Sequence, residues 1–188
     1  MRNLSDQEII DSVRKGNSSD YSIIVNRYKN KAFSMLKRML KNEFDAEEVL
    51  QDCFLKAYNS LNTFKGDSKF STWFYRIVYN SALTKLSSQK RKTLEEMTSL
   101  EDHFNLETEY RADEIEKIDL NQLIQETITK LPERYSAIIT MFYLNEMSIE
   151  EISDVMGMSI SNVKVMLHRS RNALRDLILN SRLAEELI

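Results

Sequence analysis

Hydrophobic positions recur at helical spacing along most of the chain, and this pattern predicts a series of amphipathic helices. Ser5 and Glu8 form a capping box, which predicts a short helix ending near Gly16. A long helix is expected from about residue 20 to residue 40. A third helix, capped by Asp45 with Glu48, carries its apolar side chains inward as far as Leu61.

A fourth helix is predicted from about Phe70 to Gln89, after a loop over residues 63–68 that contains Gly66. Its aromatic side chains lie on opposite faces, with Phe74 on one face and Tyr75 on the other. Such a helix is either buried on both sides or exposes aromatic rings that can stack on unpaired bases. The pattern alone leaves both interpretations open.

The stretch from Leu131 to Ile178 reads as a helix-turn-helix. Pro132 suits a first helical position, because its missing N–H would have no partner there. A second helix begins at Ser148, where Glu151 completes a capping box, and it ends at Gly157. Ser159 then caps a third helix. With only three glycines and one proline in 188 residues, the whole chain is predicted to be all-α.

The helix after Ser159 has an apolar stripe and, at 100° per residue, an opposite polar face. The polar face and its flanks carry the candidate duplex-binding residues: Ser161, Asn162, Lys164, Val165, His168, Arg169, Arg171, Asn172 and Arg175. A helix with this pattern can enter a major groove. The alternative interpretation is a solvated face in an ordinary helical bundle.

The third helix begins with an acidic outer face, which consists of Asp45, Glu47, Glu48, Gln51 and Asp52. Acidic residues in a first turn are favoured by the helix dipole alone, so part of this pattern needs no functional explanation. Their density in an otherwise basic region still predicts a docking surface for a basic partner.

Charge divides the chain into three parts. Residues 1–92 carry a net charge of +7, residues 93–119 carry −8, and residues 120–188 carry −2, which together give the overall −3. The pattern predicts a basic first domain, a flexible acidic linker and a near-neutral second domain with these bounds. It suits a nucleic-acid partner for the first domain and a basic partner for the linker.

The residues indicate no catalytic chemistry. Cys53 lies on an apolar helix face and is expected to be inert core packing, and His103 and His168 are not at metal-ligand spacing with it. A phosphate-binding glycine loop and a nucleophile motif are absent from the sequence. We therefore expect no enzyme activity, cofactor, metal or small-molecule substrate. Without a membrane-length apolar run or a signal peptide before Ser5, we expect a cytoplasmic protein that does not insert into membranes.

Three ordered motifs resemble a bacterial sigma factor of the extracytoplasmic-function (ECF) group. They are the segments at 45–54 (DAEEVLQDCF), at 64–77 (FKGDSKFSTWFYRI) and at 131–134 (LPER), the last leading into the helix-turn-helix. The order and spacing of the motifs are similar to proteins that keep only the second and fourth sigma domains. The resemblance implies a four-helix sigma2-like domain at 1–92 and a sigma4-like helix-turn-helix domain at 120–188.

The resemblance also implies three sites. The Asp45–Asp52 face would bind the clamp helices of core RNA polymerase, with the flap region as a further contact, and the helix after Ser159 would read the minus-thirty-five duplex. The melted minus-ten strand would meet the following residues: Lys65, Asp67, Ser68, Lys69, Phe70, Thr72, Trp73, Tyr75, Arg76, Asn80 and Lys85. Glu146 departs from the family, which often has glycine there, and Val165-Met166 replaces a common serine–arginine pair.

Two functions therefore compete. The first is a promoter-specificity subunit that binds core polymerase and promoter DNA, with an anti-sigma factor as a further possible partner. The second is a stand-alone helix-turn-helix regulator with an N-terminal sensor or dimerisation domain. The aromatic-and-basic fourth helix, the acidic face and the acidic linker favour the first, because a simple regulator needs none of them. A purely structural adaptor leaves the polar face of the last helix unexplained.

Overall fold

The computed structural model describes residues 4–99 and 120–180, and these residues fold almost entirely as helices. The all-α prediction is confirmed, and no strand occurs in these two segments. The described residues form the α-helices α1 (Asp6–Arg14), α2 (Tyr21–Leu40), α3 (Glu43–Ser60), α4 (Phe70–Ser99), α5 (Leu120–Lys130), α6 (Glu133–Ile139), α7 (Ile149–Met156) and α8 (Ile160–Leu179). Short 3₁₀ turns precede α2 and follow α3.

The helix ends follow local capping chemistry. The capping boxes at Ser5 and Ser148 are both present, and Gly157 ends α7 in the left-handed conformation, as predicted. The predicted cap of α3 is wrong, because the helix begins two residues before Asp45. Asn42 is the actual cap, and its side-chain oxygen accepts a hydrogen bond of 3.1 Å from the Asp45 N–H. Asparagine is as good a cap as aspartate, so the choice between neighbouring candidates was open.

Two further boundaries differ from the prediction. Helix α4 continues ten residues beyond Gln89, through a stretch without glycine or proline that includes the first seven residues of the expected linker. Residues 100–119, the rest of that linker, lie outside the described residues. Pro132 lies one position before α6, where its carbonyl accepts bonds from the Tyr135 and Ser136 N–H groups at 2.9 Å each.

Helices α1 to α4 surround a core rich in aromatic rings. The Phe54 and Phe74 rings stack at 4.8 Å, and Tyr28 packs against Phe74 at 5.7 Å. Tyr28 also donates a hydrogen bond to the Asp6 carboxylate, which ties α2 to the start of α1. Cys53 is fully buried in this core, and burial raises the pKa of its thiol to about 11, as an inert structural cysteine requires.

Helices α5 to α8 form the second half, with the helix-turn-helix in α7 and α8. After α6 the backbone widens into a π-helical stretch, Thr140–Leu144, and the Asn145 N–H donates to the Thr140 carbonyl at 2.9 Å. Glu146 then takes a left-handed conformation with φ of 57°. This conformation gives a physical reason for glycine at the position, because a Cβ is disfavoured there.

The two halves pack against each other, and their buried apolar residues form one continuous cluster. Helix α2 contacts α5 and α6, and α4 contacts α7. Arg38 of α2 donates a hydrogen bond to Gln125 of α5, and Lys69 forms an ion pair of 2.9 Å with Glu151 of α7. The described part of the chain contains no helix long and apolar enough to cross a membrane.

Candidate nucleic-acid interface

Helix α8 is packed on one side and open on the other, as its sequence predicts. Val163, Leu167 and Ser170 are buried against the rest of the helix-turn-helix. The candidate duplex-binding side chains lie on the outside: Ser161, Asn162, Lys164, Val165, His168, Arg169, Arg171 and Arg175 are exposed, and Asn172 is half-buried. Asn172 and His168 form a hydrogen bond of 3.2 Å across this face.

Arg171 is exposed but is directed toward its own domain. Its Nε donates a 2.7 Å hydrogen bond to the Tyr143 hydroxyl, and its guanidinium lies 5.5 Å from the ring centroids of both Phe142 and Tyr143. Arg171 and Arg175 also border an apolar cleft of about 440 Å³ between α5, the π-helical stretch and the end of α8. The structure therefore gives Arg171 different surroundings from Lys164, although both were predicted as duplex-binding residues.

The loop before α4 is fixed at its base and exposed at its tip. The Arg14 guanidinium donates to the carbonyls of Leu61 and Phe64, at 2.6 Å for the first, which holds the start of the loop against α1. Gly66 has φ of 79°, a conformation that suits glycine. Lys65, Asp67 and Lys69 are exposed and Ser68 is half-buried, so this part of the predicted site is accessible.

Several predicted minus-ten residues are buried in this conformation. Phe70, Thr72 and Tyr75 are each at most 4% exposed, and burial raises the pKa of the Tyr75 hydroxyl. Tyr79 is buried as well, so the aromatic segment of α4 is covered on both sides. Of the two interpretations that the sequence allowed, the structure shows burial of these rings and not exposure for stacking. These rings therefore do not offer their faces to a base here. Their packing instead sets the position of the exposed side chains beside them.

The exposed polar groups of α4 begin at Arg76, between the buried rings of Tyr75 and Tyr79, and continue toward the end of the helix. Arg76 and Asn80 are exposed, and Trp73 is half-buried against Phe64 at 5.0 Å. Asn80 lines an open groove of about 670 Å³ whose other polar walls are formed by Thr84, Ser87, Ser88, Arg91 and Lys92. Cations and amides along one groove suit a nucleic-acid backbone. Arg91 and Lys92 were not among the predicted site residues, although they belong to the part of the chain predicted to be a basic domain.

The loop and the helix-turn-helix share one cleft. It has a volume of about 280 Å³ and is lined by Asp67, Ser68, Thr72, Trp73, Arg76 and Asp154. Asp154 comes from α7, next to the Lys69–Glu151 ion pair. Burial raises the pKa of Glu151, but hydrogen bonds from Ser148 and Lys69 outweigh it and lower the pKa overall. The second half of the chain thus covers part of the predicted minus-ten surface.

The acidic face of α3 is accessible but partly neutralised. Glu47, Glu48, Gln51 and Asp52 are exposed, and Asp45 is half-buried. Lys85 of α4 pairs with Asp45 at 2.9 Å and with Glu48 at 2.6 Å, and these contacts raise the pKa of its ammonium group. Lys85 was predicted to meet melted DNA, whereas in the structure its charge is engaged by α3. No group of side chains in residues 4–99 and 120–180 is arranged to hold a metal ion.

Comparisons with known proteins match this chain in two regions, one in each half of the structure. A family model described as Sigma-70 region 2 matches residues 24–92, and one described as Sigma-70, region 4 matches residues 121–174. The ECF RNA polymerase sigma factor SigW of Bacillus subtilis is 32% identical over 173 residues, covering 88% of this chain and 92% of its own.

Two solved structures share the fold. CnrH, solved in complex with the cytosolic domain of CnrY, superposes with a TM-score of 0.67 at 22% identity and covers 94% of this chain and 99% of its own. The sigma factor RpoE of Bartonella quintana, solved with the anti-sigma factor NepR, gives 0.65 at 21% identity, with 87% and 99% covered. The two family models and the 32% identity with SigW establish that the chain belongs to the ECF sigma factors, the promoter-specificity subunits of bacterial RNA polymerase.

Proposed function

We propose that this sigma factor binds core polymerase through α3, captures the melted minus-ten strand with the loop and groove of α4, and reads the minus-thirty-five duplex with α8. The observation that carries this proposal is the exposed polar face of α8 on a helix whose other side is buried. A structural helix in a bundle needs no such row of amide, imidazole and guanidinium groups.

For the minus-ten strand, we assign the contacts to the side chains that the structure leaves accessible. They are Lys65, Asp67, Ser68, Lys69, Trp73, Arg76 and Asn80, extended by Arg91 and Lys92 along the groove of α4. Phe70, Thr72 and Tyr75 act as the packed support of this surface in the described conformation. Base stacking then falls to Trp73, whose indole is the half-buried aromatic nearest the loop.

For the duplex, we assign base contacts to the exposed face of α8 and phosphate contacts to the edge of that face that carries Lys164 and Arg175. Asn162 and Arg169 can form the bidentate hydrogen bonds that distinguish bases, and Val165 can contact a thymine methyl group. Lys164 and Arg175 supply phosphate contacts, which add affinity without reading sequence. The division into domains at 1–92 and 120–188, with a linker between them, remains part of this proposal.

The remaining expectations also belong to the proposal. The chain contributes no catalytic group, because it acts as a specificity subunit of an enzyme that carries the catalytic site. It works in the cytoplasm, where bacterial transcription occurs. Because RpoE of Bartonella quintana was solved with an anti-sigma factor, we propose that an anti-sigma factor is also a partner of this chain.

The decisive experiment is transcription in vitro from a promoter library, with core polymerase and the purified chain. We expect transcripts only when both are present, from templates that share two separated sequence elements. Asn162→Ala should change the preferred upstream element, and Asn80→Ala should reduce output without changing that element. Tight sequence-specific duplex binding by the chain alone, with no effect on polymerase, would instead support the stand-alone regulator.

A further inference from the structure

The exposed face of α3 carries large apolar side chains as well as acidic ones. Phe44 is 84% exposed and Leu55 is 61% exposed, which makes them the two most exposed large hydrophobic residues in the described part of the chain. Tyr58 follows one turn after Leu55 and is 39% exposed, with its ring held edge-on against Tyr21 at 5.0 Å. Single exposed apolar side chains are common, so their arrangement decides whether they matter.

The arrangement is a line along the helix. Leu55 is eleven positions after Phe44, and at 100° per residue the two side chains differ by about 20° around the helix axis. Their Cα atoms are about 16 Å apart along that axis, which is three turns. Gln51 lies between them on the same line. Phe44, Gln51 and Leu55 therefore form a spine through the middle of the acidic face.

The carboxylates lie on both sides of this spine. Glu47 is on one side, and Glu48 and Asp52 are on the other. Lys85 pairs with both Glu48 and Asp45, so its single positive charge offsets one of these two carboxylates. Glu47 and Asp52 have no ion-pair partner among the described residues, which leaves them as the free charges of the face.

We propose that Phe44 and Leu55 are the apolar anchors of this face, and that its partner is an amphipathic segment of polymerase with apolar side chains flanked by lysine or arginine. This inference rests on the proposed docking function of α3. Protein interfaces draw most of their affinity from a few well-packed central residues surrounded by a polar rim. Exposed charge pairs add little affinity but accelerate encounter.

The two kinds of residue therefore have separable kinetic roles. Removing an anchor leaves long-range attraction intact, so the complex forms at the normal rate and dissociates faster. Removing a free carboxylate weakens steering, so the complex forms more slowly and its salt dependence falls. Phe44 lies outside the acidic motif, and Leu55 lies just past it, so the motif alone does not identify them.

The test is stopped-flow assembly of the full chain with core polymerase across a salt series. Phe44→Gln and Leu55→Gln should each raise the dissociation rate about tenfold and change the association rate less than twofold. Glu47→Lys and Asp52→Lys should lower the association rate and flatten its salt dependence. Ile23→Gln, on α2 and 36% exposed, is the matched control and should behave like the wild type.

The outcomes separate this inference from the proposed function. Normal dissociation of both glutamine variants, with slow assembly of the lysine variants, would overturn the anchor assignment and keep α3 as the docking helix. Normal kinetics for all four variants would overturn both. Helicity and thermal unfolding of each variant identify any loss that comes from misfolding, and glutamine is chosen because it is a good helix former.

Discussion

At the scale of single residues, Glu146 adopts an unfavourable backbone conformation in the turn between the π-helical stretch and α7. Its φ of 57° lies in the left-handed region, directly before Met147, whose N–H donates to the Met141 carbonyl at 3.0 Å. The turn leads into the Ser148 cap of α7, so the first helix of the helix-turn-helix depends on it. An L-residue with a Cβ is disfavoured in this conformation by about 1–2 kcal/mol.

We therefore expect Glu146→Gly to raise the free energy of unfolding by about 1 kcal/mol, because glycine accepts this backbone conformation but loses more entropy on folding. Urea unfolding followed by circular dichroism measures the change. Glu146→Ala is the matched control and should stay close to the wild type, since alanine keeps the Cβ. A stabilised alanine variant would show that the Glu146 charge, and not its backbone, is responsible.

At the scale of elements, α8 divides into a face that meets its own domain, a face that is exposed, and a boundary between them. Arg171 and Lys164 lie at that boundary, seven residues apart. The Tyr143 hydroxyl and the ring of Phe142 hold the Arg171 guanidinium, whereas Lys164 has no ion pair or hydrogen-bond partner among the described residues. Two cations that look equivalent on a helical wheel thus have different surroundings.

This difference predicts unequal effects on DNA binding. Lys164→Ala should reduce the salt dependence of promoter binding by about one phosphate contact, because each contact releases condensed counterions. Arg171→Ala should change that salt dependence less and should instead lower the stability of the second half. Fluorescence anisotropy of the holoenzyme on duplex promoter DNA over a salt series measures the first effect. Equal salt slopes for the two variants would return Arg171 to the phosphate-contacting flank.

Local sequence chemistry predicts some features of this structure, and tertiary packing decides the others. Helix positions and the caps at Ser148 and Gly157 follow from local chemistry, so they were predictable. The burial of Tyr75 and the pairing of Lys85 with α3 depend on how α4 lies between its neighbours, which periodicity does not specify. Aromatic rings on both faces of a helix are compatible with either burial or stacking, and only tertiary packing decides between them.

At the scale of the whole molecule, the packing of the two halves limits the access of DNA to the predicted minus-ten surface. Asp154 of α7 shares a cleft with Trp73 and Arg76, and Glu151 pairs with Lys69. Lys69 is 76% exposed in its side chain, so this ion pair alone contributes at most about 1 kcal/mol. The larger contribution comes from the buried contacts of α2 with α6 and of α4 with α7. We expect binding to polymerase to supply the free energy that separates these contacts.

We therefore expect that locking the closed arrangement prevents capture of the melted strand. Lys69→Cys with Glu151→Cys, joined by a bismaleimide whose spacer contains a disulfide, would hold α7 against the loop. Cys53 is fully buried and reacts slowly, so it can be kept.

The locked protein with core polymerase should give at least about tenfold less transcript from a pre-opened template than the same protein after reduction of the spacer. The two single-cysteine variants, treated in the same way, control for the loss of each side chain. Because the disulfide restores mobility without changing the sequence, undiminished activity of the locked form would show that the minus-ten surface works while α7 covers it.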